Sequence, residues 1–167
     1  MHPAFFPWVN TIAGGYSKWR WIRLRFIYIP VCPTSTLGQV VLALSYDITD
    51  NAPATSAALQ QVYKSVTTPV WGGFEGTALL NNIDAPTDRF PGAVALDVDT
   101  ARLGYNWYRF QSSGDILAMS APEQDVFVPG RIWHAREGGL AAPFGVGNLF
   151  AQYEIELIEP VAPAMNA

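Results

Sequence analysis

Residues 19–29, WRWIRLRFIYI, alternate over a length that suits a β-strand and no helix. Ile22, Leu24, Phe26 and Tyr28 fall on one face; Trp21, Arg23, Arg25, Ile27 and Ile29 fall on the other. The first set reads as core. The second mixes cationic, aromatic and β-branched residues, a surface suited to meeting another molecule. Such a strand needs neighbours and a second layer over its apolar face. Further β-like runs occupy residues 39–46, 70–80, 93–99, 105–110, 126–135 and 148–158. The last alternates cleanly, with Leu149, Ala151, Tyr153, Ile155 and Leu157 sharing a face. Thirteen prolines and fourteen glycines punctuate these runs at sandwich-like spacing. Helix is expected at residues 54–66, capped by Thr55 or Ser56 and striped by Leu59, Val62, Tyr63 and Val66. A short helix also fits around Trp8, Val9 and Ile12, after Pro7. The expected class is therefore all-β, an antiparallel sandwich with one or two short helices.

A chain of 167 residues suits one domain with a sizeable core. Net charge is −4, which argues against a general nucleic-acid binder. Its signs are segregated. Lys18, Arg20, Arg23 and Arg25 crowd one strand, whereas all fourteen carboxylates lie from Asp47 onward. Two readings of that cationic cluster stand side by side. With Trp19 and Trp21 interleaved it suits phosphates; alternatively the arginines pair with carboxylates of a neighbouring subunit, the reading favoured here. Cys32 is the single cysteine, so no internal disulfide forms, and a reducing compartment is expected. The opening MHPAFFPWVN lacks the form of a signal peptide, and no apolar run reaches membrane-spanning length.

Catalytic patterns are sparse. His2 and His134 have no second ligand at metal spacing, and both read as surface histidines. Cys32, between two prolines, reads as an inert thiol. FGVGN leads into a strand rather than a helix, which rules it out as a dinucleotide fingerprint. The chain is expected not to be an enzyme. Asp47 and Asp50 flank one turn, Asp84 and Asp88 share a loop, and Asp97 and Asp99 point the same way. Calcium takes six to eight oxygens, more than one pair supplies, so such a site needs a second subunit. Turn and helix capping is the competing use of Asp47 and Asp50.

Tyr28, Pro30, Gly38, Val40, Leu42, Asp47 and Pro53 together resemble the shell-domain signature of tombusvirus-like coat proteins and their sobemovirus relatives. Leu44 departs mildly, standing where an aromatic or isoleucine is usual. FPWVNTIAGGYSKWRW, TTPVW, NWYRF and VGNLFAQYEIELIEP resemble further landmarks in order, so the likeness covers nearly the whole chain. It implies an eight-stranded jelly roll at residues 1–160, with sheets BIDG and CHEF, and a tail at 161–167. It further implies a structural coat protein whose copies enclose a viral genome, expected to be positive-strand RNA. The virion, assembled in the host cytoplasm, is the expected location. Intersubunit calcium at Asp47 and Asp50 is the expectation that the carboxylate pairs themselves raise. Against that family pattern, a basic N-terminal arm, a protruding domain and strand B are all expected to be missing. A longer parent chain or second polypeptide is expected to supply it. Viral nucleic acid should bind weakly and non-specifically. The alternative is a cellular lectin-like sandwich that binds a small ligand.

Overall fold

A computed structural model describes residues 1–90, 92–138 and 145–162. Seven strands occur among them: β1 (Tyr16–Pro30), β2 (Gly38–Ser45), β3 (Lys64–Pro69), β4 (Val94–Asp97), β5 (Tyr108–Arg109), β6 (Arg131–Gly138) and β7 (Gly147–Pro160). All pairings are antiparallel. In one layer β1 pairs with β7 along one side, and with β4 and β5 along opposite ends of the other. In the second layer the order is β3–β2–β6.

That order identifies the strands. In a BIDG sheet the last strand, I, lies beside D, and G lies on the far side of D. Here β7, β1 and the β4/β5 pair occupy those places, while β6–β2–β3 reproduces H–E–F. The fold is the expected jelly roll, but β1 is strand D. Among the described residues the B and C positions are both empty, not B alone. Residues 163–167, most of the expected tail, lie outside the described residues.

The two long strands, β1 and β7, were expected in opposite sheets; they are neighbours in one. Their inner faces still share a core. Leu24 and Phe26 are buried, with Tyr153 and Ile155 packed against them. A register shift between Trp21 and Arg23 changes which β1 residues face inward. Before it, Trp19 and Trp21 face the core; after it, Leu24, Phe26 and Tyr28 do. Ile22 is left on the exposed side at 36%, while Trp21 is 3% exposed. Strict alternation misassigned both, because a bulge inserts one residue and resets the period.

The helices are α1 (Pro7–Ala13), α2 (Ser56–Gln60), α3 (Gly76–Leu79), α4 (Ser113–Ala118) and α5 (Ala121–Gln124), more than expected. Thr55 caps α2 by accepting from the Ala58 N–H. The helix stops after one turn because β-branched Val66, Thr67 and Thr68 pair with β2 instead. Leu59 of α2 closes a second cluster with Val41 and Ala43, on the outer face of β2. Leu79 of α3 does the same over Ile27 of β1. Residues 70–80, expected as strand, thus form turns and α3 around Gly73, whose φ of +99° suits only glycine.

Candidate functional site

The expected cationic cluster forms a charge ladder on the outer face of the β7–β1–β4/β5 layer. Lys18 Nζ donates to Glu159 at 2.6 Å, and Arg20 Nε donates to Glu156 at 2.6 Å. Arg23 pairs with Asp84 and lies 3.7 Å from Glu154. Arg25 Nε meets Asp97 at 2.5 Å. Each cation therefore has a carboxylate within its own chain. The hydrogen bonds from Lys18 and Ser17 hold the Glu159 carboxyl below its ordinary range. Most rungs are half exposed, so each adds only about 0–1 kcal/mol. The Arg20 guanidinium also lies 4.5 Å above the Trp107 ring. Trp21, grouped with these residues as an interface candidate, is instead in the core beside Phe6 and Tyr153. Its Nε1–H donates to the Met1 carbonyl at 3.0 Å.

Asp47 and Asp50 sit at the exit of β2. Asp47 Oδ1 accepts from the Thr49 N–H at 2.7 Å and from its hydroxyl at 2.6 Å. These bonds, the hydroxyl's foremost, hold its carboxyl below the usual range. Ser45 Oγ donates to Asp50 Oδ2 at 2.9 Å. Both residues border a cavity of about 570 Å³ that also has Tyr63, Arg102 and Trp133 in its wall. Among the described residues no three metal-ligating side chains gather. Two carboxylates fall short of the six to eight oxygens calcium needs, so other oxygens must complete any such site. Asp84 and Asp97 are engaged by the ladder, and Asp99 caps a short 3-10 turn by accepting from the Ala101 N–H. The Asp88 side chain lies outside the described residues.

His2 is not on the surface as expected. It is fully buried against Trp19 and Phe110, and its Nδ1 accepts from the Ala4 N–H. Burial first, then the adjacent terminal ammonium, lowers its pKa to about 3. His134 is exposed, on β6. Cys32 is half-buried, its thiol 3.4 Å from the Val70 carbonyl.

The remaining unusual feature is an opening between the layers. Among the described residues β7 pairs only with β1, and β6 only with β2. A cavity of about 340 Å³ lies between these two unpaired edges, and one of about 270 Å³ lies between β6 and the N-terminal segment. Tyr28, Leu42, His134, Arg136 and Leu149 border the first; Met1, Phe6, Phe26, Arg131 and Ile132 border the second. Residues 1–163 match the family described as Viral coat protein (S domain).

The chain belongs to the viral coat protein (S domain) family. This S domain is 38% identical over 164 residues to a capsid protein of Tobacco necrosis virus strain D, spanning 98% of the chain. A strain A capsid protein is 40% identical over 159 residues, spanning 95%. The matches cover only 60% and 56% of those two proteins. Among solved structures, one of tobacco necrosis virus superposes with a TM-score of 0.91 at 40% identity, covering 99% of this chain and 86% of that one. A Cocksfoot mottle virus structure gives 0.89 at 25% identity, covering 100% and 85%. A coat-protein family sets aside the lectin-like alternative.

The ladder's acceptors, Glu154, Glu156 and Glu159, were not picked out from sequence. The signal was present in the alternation of β7, but only the β1–β7 register says which cation each glutamate meets.

Proposed function

We propose that this S domain is the shell-forming part of a structural coat protein whose copies tile an icosahedral particle around a viral genome. Family membership over residues 1–163 carries this reading. Exposed apolar residues support it: Trp8, Phe74 and Leu117 are 71–73% exposed, far more than a solitary domain needs. The domain's part is mechanical, a rigid sandwich with contact surfaces and no catalytic step. Particle assembly takes place in the host cytoplasm, and the virion is the final location. Two strands, at the B and C positions, come from a longer parent chain. Negative-stain electron microscopy of purified parent protein tests this, with closed particles expected and monomers alone overturning it.

Asp47 and Asp50 hold calcium in this proposal only where a neighbouring subunit completes the oxygen set. Chelator at mildly alkaline pH should then swell particles, because the uncompensated carboxylates repel. Asp47→Asn with Asp50→Asn should abolish that response; indifference of wild-type particles leaves these residues as turn caps. Genome contact through this domain is weak, because Lys18, Arg20, Arg23 and Arg25 are already paired. RNA retention by the isolated domain should vanish by physiological salt.

A further inference from the structure

We propose that the segment closing the opening between β6 and β7 carries a carboxylate on its inward face, paired with Arg136 beside His134. This rests on the shell-domain reading and adds the chemistry of the missing strand. The occupant is an extended segment of a longer parent chain, laid along the free edge of β6.

Three observations lead there. First, β6 and β7 each leave a full row of backbone donors and acceptors unpaired among the described residues. A strand edge of this kind is completed by an extended peptide. The matched tobacco necrosis virus structure has about one-seventh of its chain outside the match, enough for two strands. Second, the register places Ile132, His134 and Arg136 opposite Leu44, Leu42 and Val40. The β2 residues are core, so the β6 side chains point inward. Directed between the layers, an arginine and a histidine stand where apolar residues are the rule.

Third, the charge at the opening is one-sided. Arg136 and His134 line one cavity, and Arg131 adjoins the other. Among the described residues no carboxylate borders either cavity. Arg131 and Arg136 form no ion pair among the described residues, whereas the ladder arginines all do. In a chain of net charge −4 this positive rim is an exception. The Met1 nitrogen is itself buried, donating to the Gly130 carbonyl at 2.6 Å beside the start of β6. Cross-strand neighbours on one face interact directly, and opposite charges there are favourable. A strand on β6 with an acidic residue opposite Arg136 satisfies both the backbone and the charge.

The test uses three blocked ten-residue peptides of alternating valine and threonine, with a central glutamate, glutamine or lysine. Binding to the 167-residue protein is read by fluorescence anisotropy, and the edge by amide hydrogen exchange along β6 and β7. The glutamate peptide should slow exchange of the outward-facing β6 amides and bind at least ten-fold tighter than the lysine peptide. Arg136→Glu, at an exposed position, should reverse that preference. Slowed exchange with equal affinity for all three peptides overturns the carboxylate, while leaving the shell reading intact. Slowed exchange that follows protein concentration without peptide overturns the occupant in favour of a second copy. No slowing with any peptide overturns the edge itself. Particle formation by the parent protein is scored separately, so failure of the shell reading is recognised on its own.

Discussion

The two flanks of this sandwich are built from similar residues and end in opposite states. On one flank, β3 and β4 bring the layers together, and Lys64 Nζ donates to the Asp97 carbonyl across them at 3.2 Å. On the other, β6 and β7 stand apart around a cavity of about 340 Å³. β2, with partners on both sides and α2 over its outer face, is buried from Val40 to Ser45. β7 is longer and carries more apolar residues in all, yet none of its residues is buried. Leu149 and Phe150 remain 43% and 40% exposed. Burial in a sheet comes from neighbours rather than from a strand's own hydrophobicity. The difference separates the edges that are paired from those that, among the described residues, are not.

The strongest way to break this comparison is through the closed core. Leu24 is 2% exposed, and Leu24→Ala should cost about 2–5 kcal/mol. Leu149→Ala on the open flank should cost less than about 1 kcal/mol, because little area is lost from burial. Equal losses in urea unfolding would mean that the flanks do not differ.

Acid should act next. His2 has a folded pKa near 3, depressed below the usual value of 6.5. The unfolded chain therefore binds the extra proton first, and its contribution is whole above pH 6.5. Stability should fall by about 1.4 kcal/mol per pH unit from 6.5 towards 3, to the extent that His2 stays buried. His2→Asn, able to keep the bond from the Ala4 N–H, should flatten that slope; an unchanged slope would assign acid sensitivity elsewhere.

Gly147 then asks whether the first residue of β7 is anchored despite the open edge. A Cβ there would lie 2.3 Å from the Tyr28 ring, whose hydroxyl donates to the Val70 carbonyl. Gly147→Ala should cost about 1–3 kcal/mol by overpacking and raise exchange at Val70. A neutral result would show that this end of β7 already moves.

The smallest effect belongs to the ladder. Arg20→Ala should change stability by about 1 kcal/mol or less, and added salt should shrink the difference further. A loss comparable with Leu24→Ala would make the outer face, and not the core, the support of β7.

Much of this was legible in residue order. Alternation located β1, β2 and β7, and the proline- and glycine-rich segments located the turns. The signature from Tyr28 to Pro53 pointed to the right family. Short elements were harder. Residues 54–66 carry a helical stripe, but a strand pairing with β2 outcompetes it after Gln60. The ladder was half visible: its cations stood out, and its acceptors lay more than sixty residues away in the chain.

The sequence by itself determined the sandwich, because period-two hydrophobicity and backbone-breaking residues act locally. Tertiary structure alone decided the rest. It placed β7 beside β1, and a bulge at Ile22 moved Trp21 from the outer face to the core. It buried His2 among aromatic rings and set each ladder cation against its own carboxylate. These outcomes depend on register between distant segments, and one residue of slip in a β-pair exchanges inside for outside. No short stretch of chain carries that information, since it resides in how the strands meet.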